Sequence, residues 1–163
     1  MMGKLILTLA ELDTEAARFV GGLAPREQRL PAGRQATLVT LTGELGAGKT
    51  AFVKAVARAL GVGETVNSPT FVLEKIYLLP PEQSFKRLVH IDAYRLEGGD
   101  ELRPLGFDEL MRDPGNLVML EWPERVKDAL PIPAVKISFI AHTDGSPSTK
   151  SDLVLGSRII SYG

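Results

Sequence analysis

The sequence predicts an α/β fold, with helices packed on a mixed β-sheet, and three observations carry that prediction. β-rich runs alternate with helix-patterned segments. A glycine-rich octapeptide stands between one such run and one such helix. Strand-like runs follow one another closely after residue 70, which favours antiparallel pairs beside the alternating ones. The 163 residues show no composition break and no internal repeat, so a single domain over 1–163 is expected.

Taken in order, Leu5-Ile6-Leu7-Thr8-Leu9 reads as a short strand. Asp13 or Thr14 is then the expected N-cap of a helix whose apolar positions Ala16, Phe19, Val20 and Leu23 recur at three- and four-residue steps. Pro25 to Arg34, with its prolines, glycine and charges, reads as a surface loop. Thr37 to Thr42 is β-rich, and Lys49 to Leu60 follows as a helix with Phe52, Val56, Ala59 and Leu60 on one face and Gly61 ending it. Further strands are expected at Phe71–Tyr77, Leu88–Ile91, Leu117–Leu120, Val135–Ile140 and Leu153–Ile160. Helical or irregular pieces fall around Glu101–Arg112 and Glu124–Ala129, and Gly145–Lys150 is a late loop.

Charge and composition exclude several functions. Nineteen basic residues against twenty acidic ones argue against a strong grip on a nucleic-acid backbone, so any role involving nucleic acid implies a partner that holds it. The absence of cysteine removes disulfides, thiolate metal sites and cysteine nucleophiles together. The apolar run after Met1-Met2-Gly3-Lys4 meets Glu11 and Asp13 too soon for a signal peptide, and no stretch reaches the roughly 18 apolar residues that span a bilayer. A soluble, cytoplasmic protein without a membrane role is expected.

The octapeptide Gly43-Glu44-Leu45-Gly46-Ala47-Gly48-Lys49-Thr50 has the form Gly-x-x-x-x-Gly-Lys-Thr, in which each fixed position has a task. Glycines let the loop wrap closely, so that backbone N–H groups point at phosphate oxygens. The next helix directs its positive end at the same place. Lys49 brings a mobile charge to the outer phosphates, and Thr50 offers a hydroxyl to magnesium, which prefers oxygen ligands. A P-loop that holds ATP and Mg2+ is therefore expected. Leu117-Val118-Met119-Leu120-Glu121 supplies the carboxylate that such a site usually takes from the end of another buried strand; the bland reading is a strand ending in a solvated Glu.

Two further segments carry chemistry. Ser68-Pro69-Thr70-Phe71 is a rigid turn with two hydroxyls; it is either a nucleotide-sensing switch or simply a loop entering a strand. In His90-Ile91-Asp92-Ala93-Tyr94-Arg95, the alternation puts His90, Asp92 and Tyr94 on one face, where they orient a water or the surroundings of a metal, or else form a structural hydrogen-bonded set. His142 and Trp122 read as structural.

These elements, together with Leu105-Gly106-Phe107-Asp108-Glu109 and Glu121-Trp122-Pro123-Glu124, occur in an order and at a spacing that resemble the TsaE (YjeE) family of bacterial ATPases, from about residue 5 to 140. The resemblance implies a single-domain P-loop fold with a mixed, mostly parallel sheet. It also implies ATP hydrolysis in the making of threonylcarbamoyl adenosine in tRNA, with TsaB and TsaD as partners and tRNA met only indirectly. On this resemblance Thr50 and Glu121 hold magnesium, Lys49 contacts phosphate, Thr70 is switch-like and Asp92 activates or orients water. The cradle residues Gly43 to Ala51 line the nucleotide; Glu11–Thr14 lies where the family's N-terminal stretch approaches it, and Gly145 where a late loop does. Ala51 departs from the family, which usually has a second hydroxyl there.

Rival functions are a P-loop small-molecule kinase, a GTPase and a non-catalytic module whose partner surface is shaped by nucleotide. Arg103 and Arg112 are too few and too scattered for a kinase lid, and no Asn-Lys-x-Asp guanine-reading element occurs.

Overall fold

The computed structural model describes residues 3–23, 35–64, 73–141 and 158–163. Its centre is a seven-stranded sheet in the order β1-β7-β6-β2-β5-β4-β3, from strands β1 (Lys4–Ile6), β2 (Thr37–Thr42), β3 (Glu74–Leu78), β4 (Arg87–Asp92), β5 (Asn116–Glu121), β6 (Val135–Ala141) and β7 (Arg158–Tyr162). Strands β4, β5, β2 and β6 pair in parallel, while β3 and β7 run against them and β1 reverses again. Five of the seven strands thus share one direction, giving the mixed, mostly parallel sheet that the resemblance implies.

Period-two alternation divides the core. Val39 and Leu41 of β2, Leu88 of β4, and Leu117 and Met119 of β5 pack with helices α1 (Leu9–Gly22) and α2 (Lys49–Ala59) on one face. Leu38, Val89, Ile91, Val118 and Leu120 pack on the other against Leu102, Phe107, Met111 and Val126, which come from a 3₁₀ segment at Gly99–Leu105, helix α3 (Phe107–Arg112) and the loop after β5. Gly106, left-handed at φ +72°, separates the 3₁₀ segment from α3, so the helical stretch expected at Glu101–Arg112 is two pieces.

Three boundaries differ from expectation, each for a local reason. The first strand stops at Ile6, because Thr8 caps α1: its hydroxyl accepts from Glu11 N at 3.1 Å while the Glu11 carboxylate accepts from Thr8 N at 3.1 Å. Asp13 and Thr14 therefore lie inside the helix and are not its cap. Strand β3 starts at Glu74, after Leu73 at φ +64°; the expected residues 71 and 72 lie outside the described ones. The last strand runs over Arg158–Tyr162, and 153–157 of its expected span are likewise outside.

The chain ends are tied together through Glu15, a fully buried carboxylate on α1 that accepts from Lys4 Nζ at 2.5 Å, Arg18 Nη2 at 2.5 Å and the Tyr162 hydroxyl at 2.8 Å. Burial pushes its pKa up, but the hydrogen bonds from Arg18, Lys4 and Tyr162 outweigh that and hold it at about 2, against an ordinary 4.5. A carboxyl depressed in the fold stabilises it above the unfolded pKa and loses that contribution as pH falls toward the folded one. Thermal melting between pH 6 and 2 is expected to reveal a loss of order 2 kcal/mol below about pH 4.5, after the exposed Lys4 and Arg18 are discounted for screening. Glu15→Gln flattens that dependence; an unchanged profile in this variant contradicts the assignment.

Candidate functional site

The site lies at the carboxyl ends of β2, β4 and β5, where a parallel sheet opens toward a ligand. Register builds it. Asp92 of β4 stands beside Glu121 of β5, and Glu121 beside Leu41 of β2, immediately before the glycine loop. Parity sends His90, Asp92 and Glu121 to the face carrying α2, opposite Val89, Ile91 and Leu120. All three are buried.

The loop turns from β2 into α2 through positive-φ glycines. Gly43, at φ +148°, passes so close to β6 that a Cβ there would meet the Phe139 carbonyl oxygen at 2.6 Å. Gly48 forms the N-cap of α2 at φ +102°, and among the described residues no side chain caps the first N–H groups. Lys49 is 4% exposed. Its ammonium is held by the carbonyls of Gly43 and Glu44 and lies 4.1 Å from the centre of the Trp122 ring. Burial pushes its pKa down, and the neighbouring carboxylates of Glu121, Glu124 and Asp92 oppose that.

The Thr50 hydroxyl donates to the Glu121 carboxylate, at 2.8 Å to Oε1 and 3.0 Å to Oε2. His90 Nε2 lies 2.7 Å from Oε2 of the same group. The carboxylate at the end of β5 is therefore buried and oriented, not solvated. Two hard oxygen donors this close suit magnesium, and among the described residues no group of three or more His, Cys, Asp or Glu forms a complete protein cage. The remaining coordination positions would fall to phosphate and water.

Asp92 Oδ1 accepts from Tyr94 N at 3.0 Å. Burial raises the Asp92 pKa above the usual carboxylate range; Glu121 adds to this, while the Tyr94 N–H, His90 and Lys49 act against it. Leu45, Gly46, Gly48, Lys49, Thr50, Ala51, Asp92, Glu121 and Trp122 line one cavity, together with Tyr94 and Arg95. Trp122 is left-handed at φ +60°, and its ring lies 4.9 Å from that of Tyr94. It forms a wall of the cavity and meets Lys49.

Two expected contacts are placed elsewhere. The Glu11 carboxylate is occupied by Leu7 N and Thr8 N, and the Thr14 hydroxyl donates to Ala10 O; both residues line a separate cleft with Lys4, Leu5 and Ile6. Thr70 with its Ser-Pro-Thr turn, Gly145 and His142 lie outside the described residues. A residue that sequence reasoning missed is Arg158 of β7, which is buried and reaches Gly48.

The family model described as "Threonylcarbamoyl adenosine biosynthesis protein TsaE" matches residues 14–149. The chain belongs to the TsaE family. TsaE relatives named tRNA threonylcarbamoyladenosine biosynthesis protein include that of Treponema pallidum, 38% identical over 112 residues, or 69% of this chain and 78% of the relative. The TsaE proteins of Streptomyces coelicolor and Bacillus subtilis are 44% and 42% identical, the matches covering 56% and 58% of this chain and 60% and 55% of those relatives. A crystal structure of Bacillus subtilis YdiB shares the fold at a TM-score of 0.65 and 24% identity, over 99% of this chain and 86% of that one. Among the described residues of this TsaE member, no helix is long and apolar enough to cross a membrane.

Ala51 lines the cavity directly after Thr50. If the loop holds nucleotide, as the resemblance implies, the hydroxyl added by Ala51→Thr is expected to tighten ADP binding by one hydrogen bond to a charged group, on the order of 1.5–3 kcal/mol. An unchanged calorimetric affinity would discard the idea.

Proposed function

We propose that this chain binds ATP with magnesium at the Gly43–Thr50 loop and hydrolyses it, as the nucleotide-driven component of the machinery that installs threonylcarbamoyl adenosine in tRNA. The observation carrying this reading is the convergence of Lys49, Thr50, Glu121 and Asp92 on one cavity at the N-terminus of α2. In this reading Lys49 leaves the Gly43 and Glu44 carbonyls for the outer phosphates. Thr50 and Glu121 hold magnesium between them, with His90 fixing the orientation of the carboxylate. Bound magnesium neutralises charge building up on the phosphates.

Asp92 orients the attacking water, whose oxygen bonds to the γ-phosphorus as the bond to the ADP oxygen breaks. Its raised pKa brings it closer to the operating pH, as suits a group that accepts a proton. TsaB and TsaD are the proposed partners, and contact with tRNA is indirect; the net charge of -1 supports that division of labour.

Phosphate release from labelled ATP, followed by thin-layer separation with and without TsaB and TsaD, tests the reading. Free phosphate that increases with the partners is expected. Label on an acceptor favours a small-molecule kinase, and tight binding without turnover in either condition favours a nucleotide-gated binding module.

A further inference from the structure

We propose that the sheet face of β6, β7 and β1 turned away from α1 and α2 is a docking surface for a protein partner that presents carboxylates among apolar side chains. The inference deepens the reading above, which gives the chain protein partners, by naming the surface that meets them and the charge they bring. It starts from where the second core stops. Leu38, Val89, Ile91, Val118 and Leu120 bring β2, β4 and β5 into that core, and no described residue of β6, β7 or β1 joins it. Those three strands bury Ile137, Phe139, Ile160 and Ile6 on the side of α1 and α2. Parity therefore sends Lys136, Ser138, Ile140, Ile159 and Leu5 to the other side, where the register sets Ile140 beside Ile159 and Ile159 beside Leu5. Ile140 is 59% exposed and Leu5 45%.

Toward β2 the same face deepens into a cleft of about 430 Å³, larger than the 310 Å³ cavity at the glycine loop. Paired Thr40 and Lys136, with paired Thr42 and Ser138, form its floor, and Lys127 and the segment Leu130-Pro131-Ile132-Pro133 wall it. Ile132 is 94% exposed. The prolines beside it have no N–H to leave open when a partner excludes water. Lys127 and Lys136 are both exposed, and no carboxylate lines the cleft. Neither lysine pairs with a carboxylate among the described residues. Two ammonium groups among exposed isoleucines and prolines are complementary to carboxylates set among apolar side chains. A nucleic-acid backbone offers nothing to Ile132 or Ile140, and a firm grip on it takes more cations than these. An isologous second copy would set the same patch against itself and bring lysines without carboxylates. Position adds a link to the nucleotide loop: Thr42 leads directly into Gly43, and its hydroxyl donates to Ser138 Oγ at 3.2 Å. The two cavities share no lining residue, so a partner here meets the base of the loop and leaves the nucleotide cavity open.

The test measures binding of purified TsaB and TsaD, the partners proposed above, to the full chain by calorimetry at low and high salt. Lys127→Glu combined with Lys136→Glu is expected to weaken binding roughly 10- to 100-fold at low salt and to abolish the parent's loss of affinity with salt. Ile132→Ser combined with Ile140→Thr weakens it about tenfold or more at either salt. ADP affinity and melting temperature of both variants stay close to the parent's, since none of the four side chains lines the nucleotide cavity or joins a core. Partner binding within about twofold of the parent in either variant overturns the docking surface. So does a loss of self-association or of tRNA binding in the variants while TsaB and TsaD bind as before. A parent that binds neither protein at either salt instead removes the partners proposed above, and this surface loses its occupant with them.

Discussion

Lys49→Ala is expected to weaken ATP and ADP binding roughly 30- to 1,000-fold, while the protein still melts cooperatively. The size follows from what the lysine exchanges. Without an anion the ammonium is not idle in water: it is buried against the Gly43 and Glu44 carbonyls and the Trp122 ring. Moving it to a phosphate swaps neutral acceptors for a charged one, so the gain is the difference between those contacts and the stronger charge-assisted bonds, about 2–4 kcal/mol. The same exchange makes the variant informative about stability. Removing Lys49 takes away two hydrogen bonds and a cation–π contact but also lifts the desolvation of a buried charge, so the nucleotide-free melting temperature should move by only a few degrees. Calorimetry of the variant with magnesium and each nucleotide decides the matter. Parent-like affinity removes the physical basis for nucleotide at this loop.

Much of this arrangement is legible in the amino-acid sequence because it is encoded locally. The glycine loop announces itself through spacing, and α2 through its position directly after the loop. Strand parity in β4 and β5 suffices to place His90 and Asp92 on one face and to set Glu121 at the end of a buried run. Where local signals compete, the pattern misleads. Leu9 looks like the end of an apolar strand, yet the Thr8–Glu11 box outweighs it, since a reciprocal cap satisfies helix N–H groups that a strand residue would leave open. The box is visible as Thr-x-x-Glu, a signal that moves the helix start and directs Glu11 to capping.

Other features have no local trace. The strand order depends on crossovers between segments distant in sequence. Arg158 is one arginine in an apolar run; only the antiparallel pairing of β7 with β1 and β6 carries it to Gly48. The role of Trp122 is hidden for a similar reason: its left-handed backbone turns the ring back over Lys49, and nothing in Glu-Trp-Pro-Glu states that φ.

Asp92→Ala is expected to separate binding from chemistry, sparing nucleotide affinity while lowering phosphate release roughly 100- to 10,000-fold. On the proposed nucleotide reading, Asp92 carries negative charge into a site that receives phosphates. It stands beside Glu121 in the register and, by its electrostatics, near Lys49. Its carboxylate therefore repels the ligand as it orients the water, and removing it cannot weaken the ground state by losing an attraction. Affinity should stay level or tighten. On the same reading, turnover loses the group proposed to hold the water and accept its proton, an interaction made on the way to the transition state.

One structural contact complicates Asp92→Ala: Oδ1 also accepts from the Tyr94 N–H, and losing that bond could loosen a residue lining the same cavity. Asp92→Asn answers this, because its carbonyl oxygen can keep the bond to Tyr94 while the negative charge is gone. If the hydrogen bond to Tyr94 were the whole purpose, Asn would restore turnover and Ala would not. If the charge is what matters, both variants bind nucleotide like the parent and both are slow. Single-turnover phosphate release on saturated enzyme makes the comparison independent of affinity, and a fast Asp92→Asn enzyme would reduce Asp92 to a brace for the Tyr94 turn.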